Sequence, residues 1–155
     1  MPIKRLKEFL DSNNVKYVTI THSPAYTAQQ IAASAHIPGK ELAKTVMVKV
    51  DGKLAMAVLP ASYKVDFELL KQVSRSKKVE LATESEFKAS FPESELGAMP
   101  PFGNLYDMTV YVAESLAEDE VIAFNAGSHT ELIRMDYKDF ERLVKPKVFK
   151  FSRKR

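Results

Sequence analysis

The sequence predicts a mixed α+β fold: a single domain in which a mixed, largely antiparallel sheet, or a partly open barrel, is surrounded by helices. Three observations carry that expectation. Stretches with period-two and with helical periodicity follow one another without a regular βαβ repeat. Several strand-like runs are joined by turns too short for a crossover helix, which favours antiparallel neighbours. The 155 residues, 45% apolar and 28% charged, contain no linker or internal repeat, and suit one domain with its own core.

The elements can be justified in order. After Pro2, "IKRLKEFLDSN" repeats Ile3, Leu6, Phe9 and Leu10 at helical spacing. "VKYVTITH" is β-branched and aromatic, and reads as a strand. Thr27 followed by Gln30 has the form of a capping box opening a helix through "AQQIAASA". "KTVMVKV" and "KLAMAVLP" flank Asp51-Gly52, a pair suited to a two-residue hairpin turn. Asp66 can cap "FELLKQVS", and "KKVELA" returns as a strand. Thr83 with Glu86 marks a further helix start, ended by Pro92. "MTVYVAES", "EVIAFNAG" and "ELIRM" follow as strands, and Asp136 opens a last helix, "YKDFERLV", stopped by Pro146.

Composition excludes several function classes. With no cysteine, disulfides, thiolate nucleophiles and cysteine-ligated zinc are ruled out. His22, His36 and His129 are too scattered to suggest a metal site, and no P-loop, dinucleotide fingerprint or Gly-x-Ser-x-Gly elbow is found. No cofactor is implied. The charged N-terminus lacks a secretory apolar core, and no run approaches the ~20 apolar residues of a membrane span, so a cytoplasmic location without membrane association is expected. Net charge is +3, yet residues 145–155, "KPKVFKFSRKR", hold six basic residues and no acid. The rest has 17 basic against 20 acidic residues, so a basic C-terminal tail suited to a polyanion such as RNA is expected beside a slightly acidic body.

Four places could carry chemistry. Lys44 opens an apolar strand, where its ammonium could serve a phosphate or a developing oxyanion. "ELGAMPPFGN" (95–104) sets Gly97 and Gly103 around Pro100 and Pro101, a stiff loop carrying Met99 and Phe102 that could wall a pocket. In "NAGSHTELI" (125–133), Gly127 and Ser128 lie between two strands where their amides could donate, beside His129. In "THSPAYTAQQ", His22, Ser23 and Tyr26 precede a helix start, a place where an anion can meet free N–H groups.

Lys44-Thr45 at the hairpin, "AVLPA" (57–61), "GAMPPFG" (97–103) and "AGSHTELIRM" (126–135) occur in that order. Together they resemble the YbaK/EbsC superfamily, which includes the editing domain of bacterial prolyl-tRNA synthetase, over about residues 15–145. The resemblance implies a free-standing, trans-acting aminoacyl-tRNA deacylase with a YbaK-like fold and no metal. Its partner would be the 3′ aminoacyl-adenosine end of tRNA, with a synthetase as a further candidate. It assigns Lys44 to phosphate or oxyanion binding, and Gly97, Gly127 and Ser128 to backbone contacts in catalysis. Thr45, His22, Tyr26, Met99, Pro101, Phe102 and His129 are the expected substrate-binding set. In the alanine-specific branch an asparagine often follows the lysine, whereas Thr45 follows it here. A small amino acid is expected as the edited group. The competing expectation is a non-catalytic module that binds tRNA or a synthetase.

Overall fold

The computed structural model describes residues 3–22, 41–95 and 97–154. The helix expected from Thr27 and Gln30 lies outside them. The first helix, α1 (Lys4–Ser12), buries Leu6 and Leu10 and sends Phe9 edge-on against Phe102 at 6.2 Å. Strand β1 (Tyr17–Thr21) follows.

The hairpin forms as its turn pair dictates. Asp51 and Gly52, at φ of +51° and +84°, join β2 (Ala43–Val50) to β3 (Lys53–Pro60) in continuous antiparallel register. The Asp51 carboxylate also accepts the N–H groups of Lys77 and Lys78, at 2.8 and 2.9 Å. That fastens β5 (Val79–Leu81) to the other edge of β2. Between them run β4 (Tyr63–Val65) and α2 (Phe67–Val73), the latter capped by Asp66, whose carboxylate accepts from Leu69 N–H at 3.1 Å.

The short α3 (Glu84–Phe87) begins where Glu86 reaches back to the Thr83 N–H at 2.8 Å. Then come β6 (Thr109–Ala113), α4 (Glu114–Ala117), β7 (Val121–Asn125), β8 (Glu131–Asp136) and α5 (Tyr137–Val144). Lys145, in the left-handed region at φ of +53°, ends α5 before Pro146.

With β9 (Lys147–Phe149) and β10 (Ser152–Lys154), the strands form a five-stranded sheet, β5-β2-β3-β6-β9, a three-stranded sheet, β1-β8-β7, and a two-stranded ribbon, β10-β4. Only β3–β6 and β6–β9 pair in parallel among the described ladders, so the sheets are mixed and largely antiparallel as expected. The C-terminal stretch differs from a solvated tail. It supplies β9 and β10, and Phe151 between them is fully buried.

Alternation along β2 and β3 separates two cores. Ala43, Met47, Met56 and Val58 join Leu6, Phe102, Phe124, Ile133 and Phe140 in the first. Val48, Ala55, Ala57 and Leu59 join Leu70, Tyr111 and Phe151 in the second, on the opposite face. Burial on both faces explains why β3 reads as a nearly continuous apolar run.

Candidate active site

Two segments far apart in sequence meet at the end of β7. The Gly127 N–H donates to the Ala98 carbonyl at 2.9 Å, and the Gly127 carbonyl accepts from the Glu95 N–H at 2.8 Å. Gly97 and Gly127 have φ of +87° and +103°, conformations that side chains resist. The Glu95 carboxylate accepts the His129 N–H at 2.7 Å and lies 4.0 Å from His129 Nε2. The imidazole reaches over Gly97, where a Cβ would stand 3.5 Å from His129 Cε1. The glycine-proline loop and the glycine-histidine turn are thus one docked unit.

Strand register brings Lys44 alongside this unit. A parallel bridge joins Leu42 to Ala123, and the Ala123 N–H donates to the Glu41 carbonyl at 2.9 Å. Two residues further along each strand stand Lys44 and Asn125. Lys44 alternates with Ala43, and Asn125 with Phe124, both of which enter the first core. By alternation Lys44 and Asn125 each face away from the first core, Lys44 on the side of β2 whose later residues carry the second core, and Asn125 stands two residues before Gly127. His22 joins them from β1: it is 8% exposed, and its N–H donates to the Thr130 carbonyl at 2.8 Å. Tyr26 lies outside the described residues.

Several expectations need correction. The Gly127 amide is not available to a substrate, because Ala98 already accepts it. The Ser128 N–H, by contrast, has no acceptor among the described residues, while its hydroxyl lies 3.2 Å from that of Thr130. Met99 and Phe102 face inward instead of walling an open pocket. Both belong to the first core, where the Phe102 ring meets those of Phe9, Phe124 and Phe140. Met99 also supports the loop through its sulfur, which accepts the Gly97 N–H at 3.2 Å. Pro101 is likewise buried. Thr45 pairs with Val58 and faces the first core, so it and Lys44 lie on opposite sides of β2.

Sequence reasoning missed Asn125 and Glu95. Asn125 Oδ1 is buried without a hydrogen-bond partner among the described residues. A polar atom left so is costly unless something else satisfies it. Asparagine at a strand's end before Ala-Gly was the available signal, but its burial is a product of the docked loops. Glu95 stood within the conspicuous glycine-proline stretch, and nothing local announced that it would hold His129. A cleft of about 440 Å³, lined by Ser85, Lys88, Ala89, Phe91, Pro92 and Ser94, adjoins the unit through Ser94, whose Oγ lies 3.5 Å from a Cβ position at Gly127.

A cation at Lys44 and the Ser128 N–H are the groups here that suit an anion or a polarised carbonyl. Residues 22–143 match the family model described as aminoacyl-tRNA editing domain. The prolyl-tRNA editing protein ProX of Acetoanaerobium sticklandii is 24% identical over 143 residues, covering 88% of this chain and 86% of that protein. The crystal structure of the hypothetical protein APE2540 superposes with a TM-score of 0.86 at 16% identity, over 97% of this chain and 100% of that one. A protein proposed as a trans-editing enzyme for prolyl tRNA synthetase gives 0.82 at 17% identity, over 97% and 96%.

Proposed function

The chain belongs to the aminoacyl-tRNA editing domain family, within the YbaK-like superfamily, and from that premise we propose that it hydrolyses the ester joining a wrongly attached small amino acid to the terminal adenosine of tRNA. The observation that supports this most is the Leu42–Ala123 bridge, which lies two residues before Lys44 on one segment and two before Asn125 on the other, next to the turn through Gly127 to His129. An aminoacyl ester is already activated, so a strong protein nucleophile is not required. Water, assisted by the neighbouring ribose hydroxyl, adds to the carbonyl carbon. The bond to the ribose oxygen then breaks, that oxygen takes up a proton, and the free amino acid leaves.

The protein's contribution is positioning and charge. Lys44 and the Ser128 N–H stabilise the negative charge that grows on the carbonyl oxygen, in a site held rigid by the bonds of Gly127. His129, held by Glu95, and His22 close the site around the amino acid. The buried Asn125 Oδ1 suits the ammonium of the amino acid, which offers three donors at neutral pH.

The direct test presents purified protein with tRNAs charged with Ala, Ser, Thr, Cys and Pro, and measures released amino acid. Release from one or more supports the reading and names the substrate. No release from any member above the uncatalysed rate rejects it.

A further inference from the structure

The C-terminal basic residues are built into the fold. β10 pairs antiparallel with β4, and in that register Arg153 stands directly opposite Lys64, while Lys154 stands opposite Tyr63. Lys64, Lys150, Arg153 and Lys154 are all exposed. Like charges directly opposite one another on a strand pair destabilise it. Here that cost is only partly relieved, by Asp66 at 3.8 Å from Arg153 Nε. Phe151, fully buried, and the Asp66 N–H bond to its carbonyl at 2.7 Å anchor the ribbon. The cations are therefore presented on an ordered surface, and binding does not have to order them.

The ribbon also starts beside the candidate site. Lys44 pairs with Leu59 near the end of β3, Ala61 N–H donates to the Leu42 carbonyl at 2.8 Å, and β4 begins at Tyr63. Lys64 is five residues beyond Leu59, at most about 18 Å along the chain.

From this we propose that the β4–β10 ribbon is a docking surface for the phosphate backbone of RNA, gripping the acceptor end of the tRNA whose terminal ester enters the site beside Lys44. The assignment of the RNA as tRNA rests on the editing reading, whereas the polyanion chemistry rests on the ribbon alone. Acidic protein is the rival occupant, favoured if tRNA is not bound.

The experiment compares wild type with the triple variant Lys64→Gln, Arg153→Gln, Lys154→Gln. Fluorescence anisotropy reads binding of uncharged tRNA across a salt series, and amino-acid release is read from an aminoacyl ester of adenosine that has no phosphates. Removing the opposed charges should leave the thermal midpoint unchanged or higher. At ~0.1 M salt, tRNA affinity should fall about tenfold or more, and the slope of log K against log salt should shrink in magnitude by about 2. Hydrolysis of the small ester should be unchanged. If the variant binds tRNA with wild-type affinity and slope, or if neither protein binds tRNA, the ribbon is not an RNA surface and the proposal is overturned. If wild type hydrolyses nothing while the slope still drops in the variant, the editing reading fails and the ribbon stands.

Discussion

Gly127 and Ala98 are joined by a main-chain hydrogen bond of 2.9 Å, and that bond holds the glycine-proline loop to the turn that carries His129. Gly127 can make it because its φ is +103° and because it has no side chain: a Cβ there would lie 2.5 Å from Ile3 Cγ2. Gly127→Ala combines left-handed strain with overpacking against the start of α1. A loss of about 2–4 kcal/mol is expected in urea denaturation. Gly97→Ala meets only the ordinary 3.5 Å contact with His129. Its cost should be nearer ~1 kcal/mol, from the left-handed backbone alone. Equal costs for the two would contradict the packing described here.

Lys44 makes a different kind of prediction. Lys44→Ala should lower the rate of ester hydrolysis by about 100- to 1000-fold, in line with the loss of one oxyanion-stabilising group. Its thermal midpoint should stay within a few degrees of wild type, since a half-buried lysine at a strand start anchors no core. A variant with full activity would move the catalytic role away from β2. An unfolded variant would mark Lys44 as structural, and Lys44→Arg or Lys44→Met would then have to separate charge from packing.

Much of this architecture could be read from local signals, and what escaped was set by long-range pairing. Asp51-Gly52, Asp66 and Thr83 with Glu86 each specify their turn or cap within a few residues, and each forms as expected. "KVF" and "SRK" are too short to show periodicity. They become strands because β6 and β4 offer edges, with Phe151 buried between them. Phe102 reads as a pocket wall when considered with its prolines, yet three aromatic partners from α1, β7 and α5 claim its ring. Thr45 was legible in principle, since alternation alone places it opposite to Lys44. Asn125 offered only its place before Ala-Gly, because its surroundings are brought by the docked loops and by a bridge between Leu42 and Ala123, 81 residues apart.

Acid sensitivity should concentrate at Glu86. Its carboxylate is 2.6 Å from Lys49 Nζ and also accepts from Thr83, and these bonds, the lysine first, lower its pKa from 4.5 to about 2. A depressed folded pKa means the carboxylate contributes stability above pH 4.5, and that contribution is lost as pH falls towards about 2. Thermal midpoints of wild type and Glu86→Gln should therefore differ most at neutral pH and converge in strong acid. Parallel curves over that window would show that the pair with Lys49 does not shape acid stability.

The last prediction concerns specificity. Phe102 is fully buried, its ring tilted against Phe124 and edge-on to Phe140 with centroids 5.4 Å apart in both pairs, so it supports the loop from the core side. Phe102→Leu should cost about 1–3 kcal/mol through lost ring contacts and a small void. It should leave the order of preference among Ala, Ser, Thr, Cys and Pro esters as it is in wild type, measured as ratios of kcat/KM. His129→Ala should do the reverse, since the imidazole is 13% exposed and overlies Gly97 at the edge of the site. Stability would change little, and the preference ratios would shift by the ~10- to 200-fold that a reshaped small pocket can yield. If Phe102→Leu alters the ranking while His129→Ala does not, the amino acid is read from the core side of the loop, and the site lies on the other face of β2.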